Sequence, residues 1–499
     1  MLTETANRDS RLSFWLRVRE FAVPPSMIET ATARRCAGDW AGACAAAGFD
    51  IDLDLRSLAR SHGRDLAARI RADLRHLAPD LLRWHMPRIA PDGLLRPGLT
   101  ISLARYDADG PDGARPMHLV ARTAPAWADA GQRISLALWD GSFSDVGTCR
   151  HPHPRPHRKY RLDLHRHLWD ARRADELRLR SGAELPAVGG RDGRTPDTEP
   201  PDPDLLDPEL LAAVPPGHRC AVHRWAAEAA ILLQADKRST RTFTVRFGAR
   251  HRLVLDLDLD LVLDLAEDGD ADRGGNGRAN GVASPTLRIA AAPTDGSTSA
   301  LPVLPDAATW VLPDLELLRT GSIEAHRLHP LVASALLSEH SPAAPPHIPD
   351  RARQPRLVEC RGARHRIGLV DGALTALDHD PAEIRREELL VALTGTPLPC
   401  LQAIDEAHRR PDCLTGVRER LDHGDTAGAI AVVEALLGPE ALLRTGPLRD
   451  ALETAALQRI TYGLYRSGLI EPGPGRMTPG DHRRTREHRR SHPRRATSR

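Results

Sequence analysis

The chain has 499 residues, of which 41% are hydrophobic, and a formal net charge of only +2. This length corresponds to about three domains by the usual range of domain sizes, and the apolar content is enough for packed cores. Residues 1–20 are rich in charge, and no apolar run reaches the roughly 18 residues that a membrane-spanning helix needs. We therefore expect a globular protein that does not span a membrane and works in the cytoplasm.

Arginine is the default cation of the chain, which has only two lysines, Lys159 and Lys237. This skew is typical of a GC-rich genome and weakens any argument from arginine content to nucleic-acid binding. Neither lysine follows a glycine, so there is no Walker A loop, and both lie in polar segments unlike the setting of a catalytic lysine. The motifs HExxH, GxSxG and GxGxxG are also absent. The sequence thus predicts no cofactor and no catalytic residue of a familiar type.

The cysteines are odd in number and never form a CxxC pair. They are Cys36, Cys44, Cys149, Cys220, Cys360, Cys400 and Cys413. This arrangement fits reduced thiols better than a disulfide framework or a zinc ribbon. We expect them to be small core residues, and we predict no metal site.

The chain predicts an α+β fold that begins with a helical N-terminal region, residues 1–95. Within it, residues 26–48 divide at Gly38 into two short helices. From residue 66 to residue 84, apolar side chains recur every three or four positions. This periodicity predicts one continuous helix, which ends before Pro87.

Residues 96–182 are predicted to form a β-rich unit with a closing helix. Alternating segments between residues 99 and 140 indicate an antiparallel sheet, and "LWDARRADELRLRSG" indicates the helix. Between them lies the histidine-rich stretch 149–170, "CRHPHPRPHRKYRLDLHRHLWD". Its prolines favour an extended, solvated connector. We prefer this interpretation to two alternatives, a metal pair formed by His165 and His167 and direct contact with phosphates.

A linker rich in proline, glycine and acid, residues 183–204, precedes an α+β unit at residues 205–340. This unit begins with a predicted buried helix, which is followed by a pair of strands. One strand carries Asp256, Asp258 and Asp260 on a single face. Such alternation is more typical of an acidic, solvent-facing surface than of a cation site.

A second linker, residues 341–353, leads to a unit with a β-hairpin and a helical C-terminal part, residues 354–474. The segment "GARHR" occurs in both of the last two units, each time in a predicted hairpin. Duplication of a small β unit and independent use of the same turn chemistry both explain this repeat. If the units are related, His251 and His365 are equivalent and line a cleft. The alternative is that both lie at an exposed strand edge.

A second repeat, G-D-x-A-G-A-x-A, begins at Gly38 and again at Gly424. A Gly-Asp turn followed by an alanine-rich helix resembles the turn and second helix of tetratricopeptide-type repeats. The aromatic pattern of those repeats is missing, however, and each site has only one unit. We therefore predict a helical hairpin at each site and no repeat array.

Several segments, including "FAVPPSMIETAT", "LPDLELLR" and "LHPLV", resemble long proteins of GC-rich actinobacterial type. This resemblance implies no activity, cofactor or catalytic residue. The helical hairpins, the β units and the lack of a catalytic constellation favour a non-enzymatic scaffold or protein-binding function, with a protein partner of unknown identity. An enzyme of unrecognised type is a further alternative.

The C-terminal segment, residues 475–499, favours a nucleic-acid-associated function as another alternative. It is predicted to be disordered, because it has no apolar period and carries a high positive charge. Contact with phosphates would be weak and independent of sequence. The residues predicted to make that contact are Arg483, Arg484, Arg486, Arg489, Arg490, Arg494 and Arg495.

Overall fold

The computed structural model describes part of the chain and has the α+β architecture that the sequence predicts. The described residues are 2–107, 116–128, 132–141, 151–183, 208–215, 219–238, 240–248, 251–258, 286–290, 298, 300–337, 356–360, 363–370, 373–376, 380, 382, 385–386, 412–437 and 446–469. Within these ranges, every helix is too short or too polar to cross a lipid bilayer.

Helices dominate the N-terminal region. They are α1 (Leu2–Phe21), α2 (Pro25–Cys36), α3 (Trp40–Ala46), α4 (Leu55–His62), α5 (Arg64–His76) and α6 (Pro79–His85). The predicted division of residues 26–48 is confirmed, because α2 and α3 are separated at Gly38, whose φ is +79°. Asp39 then caps α3, since its side chain accepts a 2.8 Å hydrogen bond from the amide of Gly42.

The predicted continuous helix over residues 66–84 is wrong, because the chain leaves the helical conformation between α5 and α6. Pro79 begins α6, and a proline disfavours the helical conformation of the residue before it. Ala78 accordingly has φ −98° and ψ 93°. Its amide donates a 2.8 Å hydrogen bond to the carbonyl of Trp169. The break therefore frees a backbone amide that attaches the histidine-rich stretch to the helices through Trp169.

The first sheet lies next to these helices. Its four strands are β1 (Phe49–Asp52), β4 (Thr100–Tyr106), β5 (Met117–Thr123) and β6 (Ile134–Trp139). Strands β2 (Arg88–Ile89) and β3 (Leu94–Leu95) form a separate two-stranded ribbon. The sheet order is β1-β6-β5-β4, and the predicted antiparallel pairing of β4, β5 and β6 is confirmed. Strand β1, which pairs parallel with β6, was not expected. Its four residues are too few to show a clear alternation.

The middle of the chain adds a smaller α+β layer. Its elements are α7 (Leu177–Ser181), α8 (Pro208–Ala213), α9 (Val222–Ala235), β7 (Thr242–Arg246), β8 (Arg252–Asp258), β9 (Thr286–Ile289), α10 (Asp306–Thr309), α11 (Pro313–Arg319) and α12 (Pro330–Leu336). Strands β7, β8 and β9 form an antiparallel sheet in that order. The predicted closing helix is a 3-10 helix that continues into α7 and ends at Gly182, whose φ is +71°.

The last described elements are a three-stranded antiparallel sheet and three helices. They are β10 (Arg356–Cys360), β11 (Ala363–Val370), β12 (Ala373–Ala376), α13 (Asp412–Asp422), α14 (Thr426–Leu437) and α15 (Pro447–Arg466). Helices α13 and α14 form the second predicted helical hairpin. Asp425 caps α14 by accepting a 2.9 Å hydrogen bond from the amide of Gly428, as Asp39 does for α3.

Two hydrophobic cores position the candidate site. The larger core includes Trp84 and Trp169 and also takes in Leu317 of α11 and Val332 of α12. The smaller core is centred on the fully buried Trp225, together with side chains of β7, β8 and the segment before α10. Late residues of the chain thus pack with the N-terminal helices. The unit boundaries inferred from composition stay predictions.

Candidate ligand-binding site

A cavity of about 470 Å³ lies between the two cores. Its wall combines one face of α1, the end of α6, the stretch 159–168, helices α7 and α9, and residues 306–313. Both cores contribute side chains, which include Trp84 from the larger core and Phe247 from the edge of the smaller one. A cavity of this size is typical of sites that enclose a small molecule.

Aromatic side chains provide much of the apolar wall. They are Trp15, Trp84, Tyr160, Phe247 and Trp310. The ring centroids of Phe247 and Trp310 are 6.1 Å apart at an interplanar angle of 73°, which is an edge-to-face contact. Burial raises the pKa of Tyr160, so its hydroxyl stays protonated at neutral pH. The wall therefore offers flat apolar faces beside a hydroxyl group.

Cationic side chains also surround the cavity, but most of them are held by carboxylates. Arg19 donates hydrogen bonds of 2.8 and 2.7 Å to Asp314, and both side chains are buried. Arg180 donates two hydrogen bonds of 2.7 Å to Glu228. A buried pair of this kind offsets the cost of removing each charge from water. These two arginines therefore have a structural role, in which their charges are already balanced by carboxylates.

Lys159 is held in a third pair. Its Nζ lies 3.0 Å from Oδ1 of Asp306. Asp306 is the one acidic side chain that lines the cavity among the described residues, and burial raises its pKa. The sequence placed Lys159 in a polar, solvated stretch, but four-fifths of its side chain is buried in this pair.

Arg224, in the first turn of α9, has a different environment. It is only 9% exposed, and its Nη2 donates hydrogen bonds of 3.3 and 3.2 Å to the carbonyls of Ala307 and Trp310. Its Nε is buried without a hydrogen-bond partner. Burial lowers the pKa of Arg224 to about 10, although Glu228 opposes this shift. Within the described part of the chain, no carboxylate forms an ion pair with Arg224, because Glu228 is engaged by Arg180.

Two histidines supply further polar atoms to the wall. His167 is 4% exposed, and its Nδ1 has no hydrogen-bond partner among the described residues. Nε2 of His85 is also buried without such a partner. Burial lowers the pKa of His85 to about 3 and holds that of His167 well below its ordinary value. Both rings are therefore neutral at physiological pH. Unpaired buried nitrogens are costly, so a ligand that bonds to them would recover part of that cost.

The histidine-rich stretch is not the solvated connector that the sequence suggested. His151, His165 and His167 are buried, and His151 Nε2 lies 2.9 Å from the carbonyl oxygen of Thr123. The prolines prevent regular pairing, but the side chains between them fill spaces against β4 and β5. Replacing His151 would therefore disturb the core, contrary to the tolerance that a connector implies.

Other sequence-predicted residues lie away from this cavity. His251 is exposed at the end of the turn between β7 and β8, whereas Phe247 of the same turn lines the wall. His365 lies within β11 opposite Val358, and its side chain is outside the description. The two GARHR segments thus occupy different positions relative to their strands. A shared cleft for His251 and His365 stays a prediction.

The structure describes the remaining candidates only in part. Asp256 is exposed, Asp258 lies 3.4 Å from Arg288, and Asp260 falls outside the described residues. His165 and His167 have ring centroids 5.7 Å apart. In the described ranges no three His, Cys, Asp or Glu side chains converge as metal ligands would. The C-terminal arginines lie outside the description, and their contact with phosphates stays a prediction.

The cysteines follow the sequence expectation only in part. Cys44 is buried, and burial raises the pKa of its thiol to about 12. Cys220 is half-buried, and its pKa is also raised to about 12 by burial. Cys36 is exposed at the end of α2, so the expectation of a core position is wrong for this residue.

Comparisons of the chain with protein-family models, with curated proteins and with solved structures find no match. The chemistry of the site is therefore judged from its own geometry. Sequence reasoning identified α9 as a buried helix but did not single out Arg224. The available signal was an arginine four residues before Glu228 on a helix that is otherwise mostly apolar.

Proposed function

We propose that this protein binds a small anionic molecule with an aromatic or otherwise apolar body in the cavity described above, here named the Arg224 pocket. The observation that carries this proposal is the buried guanidinium of Arg224, which has an unused Nε and no carboxylate partner among the described residues. A buried cation without a counter-charge is costly. An anionic ligand would supply that charge.

The balance of charge favours a singly charged group on the ligand. Among the cations that line the cavity, Arg11, Arg19, Lys159, Arg161 and Arg180 have carboxylate partners. Arg224 is more than nine-tenths buried and has no ion pair among the described residues. A carboxylate matches the planar guanidinium and leaves no excess negative charge in the cavity. The aromatic wall and the neutral rings of His85 and His167 suit the rest of such a molecule. We therefore favour a carboxylic acid with an aromatic or aliphatic body.

Isothermal titration calorimetry with a panel of aromatic and fatty carboxylic acids tests this proposal. Each acid is paired with its amide, which has nearly the same shape and no charge. We expect at least one acid to bind and its amide to bind roughly tenfold to a hundredfold more weakly, because a hydrogen bond to a charged group is lost.

Variants at Arg224 make the test specific. Arg224→Met is expected to abolish binding, whereas Arg224→Lys keeps the charge and is expected to retain part of the affinity. Arg71→Met removes an exposed arginine of α5 and serves as the matched control. Equal affinity in the Met variant and the wild type would contradict the proposal, as would a panel in which acids and amides bind alike.

A second candidate function, contact with a partner protein in the cytoplasm, is favoured by the surface of α15. Leu457 and Ile460 are 64% and 59% exposed, and Leu469 just beyond the helix is also exposed. Large apolar side chains close together on one surface are typical of contact sites. If this surface binds a partner, Leu457→Glu with Ile460→Glu should abolish co-purification of that partner. Arg449→Glu with Arg459→Glu is the control on the same helix, and equal loss in both variants would contradict the assignment.

A further inference from the structure

A second cavity, of about 450 Å³, lies beside β4, β5 and β6, near the C-terminal end of α9. Six cationic side chains and one carboxylate, Asp236, line it. The cations are Arg105, Arg155, Arg158, Arg161, Lys237 and Arg238. This cavity, here named the Lys237 groove, is separate from the Arg224 pocket, and only Arg161 lines both.

Three separate segments of the chain bring these cations together, and one of them is β4, which carries Arg105. Arg155 and Arg158 come from the proline-interrupted part of the histidine-rich stretch, and Lys237 and Arg238 follow α9 directly. The cations are close enough to affect each other. The pKa of Arg158 is lowered first by partial loss of solvent around its guanidinium and then by repulsion from Arg155 and Arg238.

Among the described residues, the carboxylates near the groove lie against Arg161, Arg105 and Lys237. Asp236 and Asp163 both lie against Arg161, at 3.1 and 2.8 Å. Asp107 is shared between Arg105 and Lys237, at 3.1 and 3.4 Å. Three carboxylates of the described residues thus face six cations, which leaves this part of the surface with an excess of positive charge. Like charges gathered in one concave surface raise the local potential and attract anions.

The backbone of Lys237 provides an independent reason to assign a role to the groove. Its φ is +49°, in the left-handed region that glycine normally occupies after a helix. Its amide donates a 3.1 Å hydrogen bond to the carbonyl of Gln234, and the amide of Arg238 does the same to Leu233, so α9 ends in a Schellman-type turn. A lysine here costs stability relative to glycine. Because its side chain is 78% exposed, packing does not explain its presence.

We propose that the Lys237 groove binds the phosphate chain of a small polyphosphorylated molecule. Several cations converging on one short groove match a ligand with several negative charges. Trp139 lines the floor, with its ring centroid 5.4 Å from that of His118. Burial lowers the pKa of His118 to about 4, so the floor adds a neutral imidazole and an aromatic surface. The volume of the groove favours a small molecule over a polymer.

The test is titration of the full chain with inorganic tripolyphosphate at about 50 and about 200 mM salt, concentrations that reveal binding by charge. We expect binding that weakens as salt rises. Arg155→Gln with Arg158→Gln should weaken it at least about tenfold, and both side chains are exposed, so the fold should persist. Arg71→Gln with Arg75→Gln removes two exposed arginines from α5 and should leave it unchanged.

Lys237→Gly provides a second variant that remains informative even if the double variant misfolds. It should raise the melting temperature, because glycine suits the left-handed turn, and it should weaken tripolyphosphate binding several-fold. A stabilised variant with unchanged binding would overturn the proposal.

Other outcomes would also overturn it. They include an absence of binding, and binding that persists undiminished in the Arg155 and Arg158 variant, as contacts with the C-terminal arginines would give. Binding of a single-stranded oligonucleotide that tripolyphosphate does not displace would instead indicate a nucleic-acid surface. Because Arg224→Met leaves this groove intact, failure of one proposal is distinguishable from failure of the other.

Discussion

Arg19 and Arg224 line the same cavity and are both buried, but they differ in what surrounds the guanidinium. Arg19 has a carboxylate partner, a carbonyl acceptor at Trp84, and the ring of Trp84 4.4 Å from its Cζ. Among the described residues, the acceptors of Arg224 are two carbonyl oxygens. The first arrangement stabilises the fold. The second leaves a buried positive charge for which a ligand can supply the counter-charge.

Asp314→Ala tests the structural role of the first pair. Asp314 accepts hydrogen bonds from both Arg19 and Trp84 and has no exposed surface. Removing it leaves the buried Arg19 uncompensated, so we expect the free energy of unfolding to fall by roughly 3–5 kcal/mol. Urea denaturation measures this loss. A change below about 1 kcal/mol would contradict the assigned role.

Arg224→Met is expected to have the opposite effect on stability. It removes a buried charge that has no ion-pair partner among the described residues, at the cost of two hydrogen bonds to carbonyls. Its melting temperature should therefore equal or exceed that of the wild type, while ligand binding is lost. A fall as large as that of Asp314→Ala would show that Arg224 is structural.

The sequence could not distinguish these two arginines. Both occur in helices with apolar neighbours, and the partner of Arg19 lies 295 residues away. Only the folded chain shows that Glu228 is taken by Arg180, which comes from another helix. Long-range pairing of this kind leaves no local pattern. For the same reason, sequence patterns predict a solvated connector where His151 and His167 are in fact buried.

At the scale of elements, the repeat G-D-x-A-G-A-x-A has a physical explanation in helix capping. Asp39 and Asp425 each cap a helix through the amide of the glycine three residues later. An arginine five residues before each aspartate, Arg34 or Arg420, also binds the carboxylate, at 3.0 and 2.9 Å. The glycine is required because a methyl group there would overlap the capping side chain. This part of the fold was predictable from sequence.

A double-mutant cycle at Asp425 and Gly428 tests this explanation. Gly428→Ala alone should change the free energy of unfolding only a little. Alanine favours the helix more than glycine does, but its methyl group displaces the side chain of Asp425 and removes a cap worth about 1 kcal/mol. In the Asp425→Ala background the same substitution should stabilise by roughly 0.5–1 kcal/mol, since no cap remains to be displaced. Chemical denaturation of the four proteins gives the coupling. Equal effects of Gly428→Ala in both backgrounds would contradict the explanation.

Where the sequence failed at this scale, one residue overrode a periodic pattern. The apolar spacing continues through residues 66–84, but Pro79 forces Ala78 out of the helical region. The short parallel strand β1 was missed for a different reason. Its position is set by pairing with β6, in which Phe49 lies opposite Ile134, 85 residues later in the chain.

At the scale of the whole molecule, the last described helices are attached to the first ones. Arg83 donates hydrogen bonds to the carbonyls of Ala22, Gln132 and His423, at 3.0, 2.6 and 2.8 Å. Arg17 binds Glu419, and other links join α15 to β1. One buried guanidinium thus connects α1, the loop before β6 and the end of α13.

This architecture buries many histidines in neutral form, which predicts sensitivity to acid. Burial lowers the pKa of several of them to about 4, from an ordinary value of 6.5. They are His118, His151, His157, His165 and His423. The unfolded chain therefore binds more protons than the folded chain between these two values. Stability is full above pH 6.5 and is lost progressively as the pH falls toward 4.

Melting temperatures measured from pH 7.5 to pH 5 check this prediction before most carboxylates begin to titrate. We expect a steady fall below about pH 6.5. The His151→Gln variant should be less stable at pH 7.5 but should show a shallower decline, because one buried titrating ring has been removed. Melting temperatures that are constant over this range would contradict the assignment of buried neutral histidines.

The central claim is that Arg224 pairs with an anionic ligand inside the cavity between the two cores. The most direct measurement is a crystal structure of the protein with the tightest-binding acid of the calorimetric panel. We predict that its carboxylate accepts a hydrogen bond from Nε of Arg224 and that its apolar body contacts Phe247 or Trp310. A bound acid that lies elsewhere, or that occupies the cavity and leaves Nε of Arg224 without a partner, would contradict the claim.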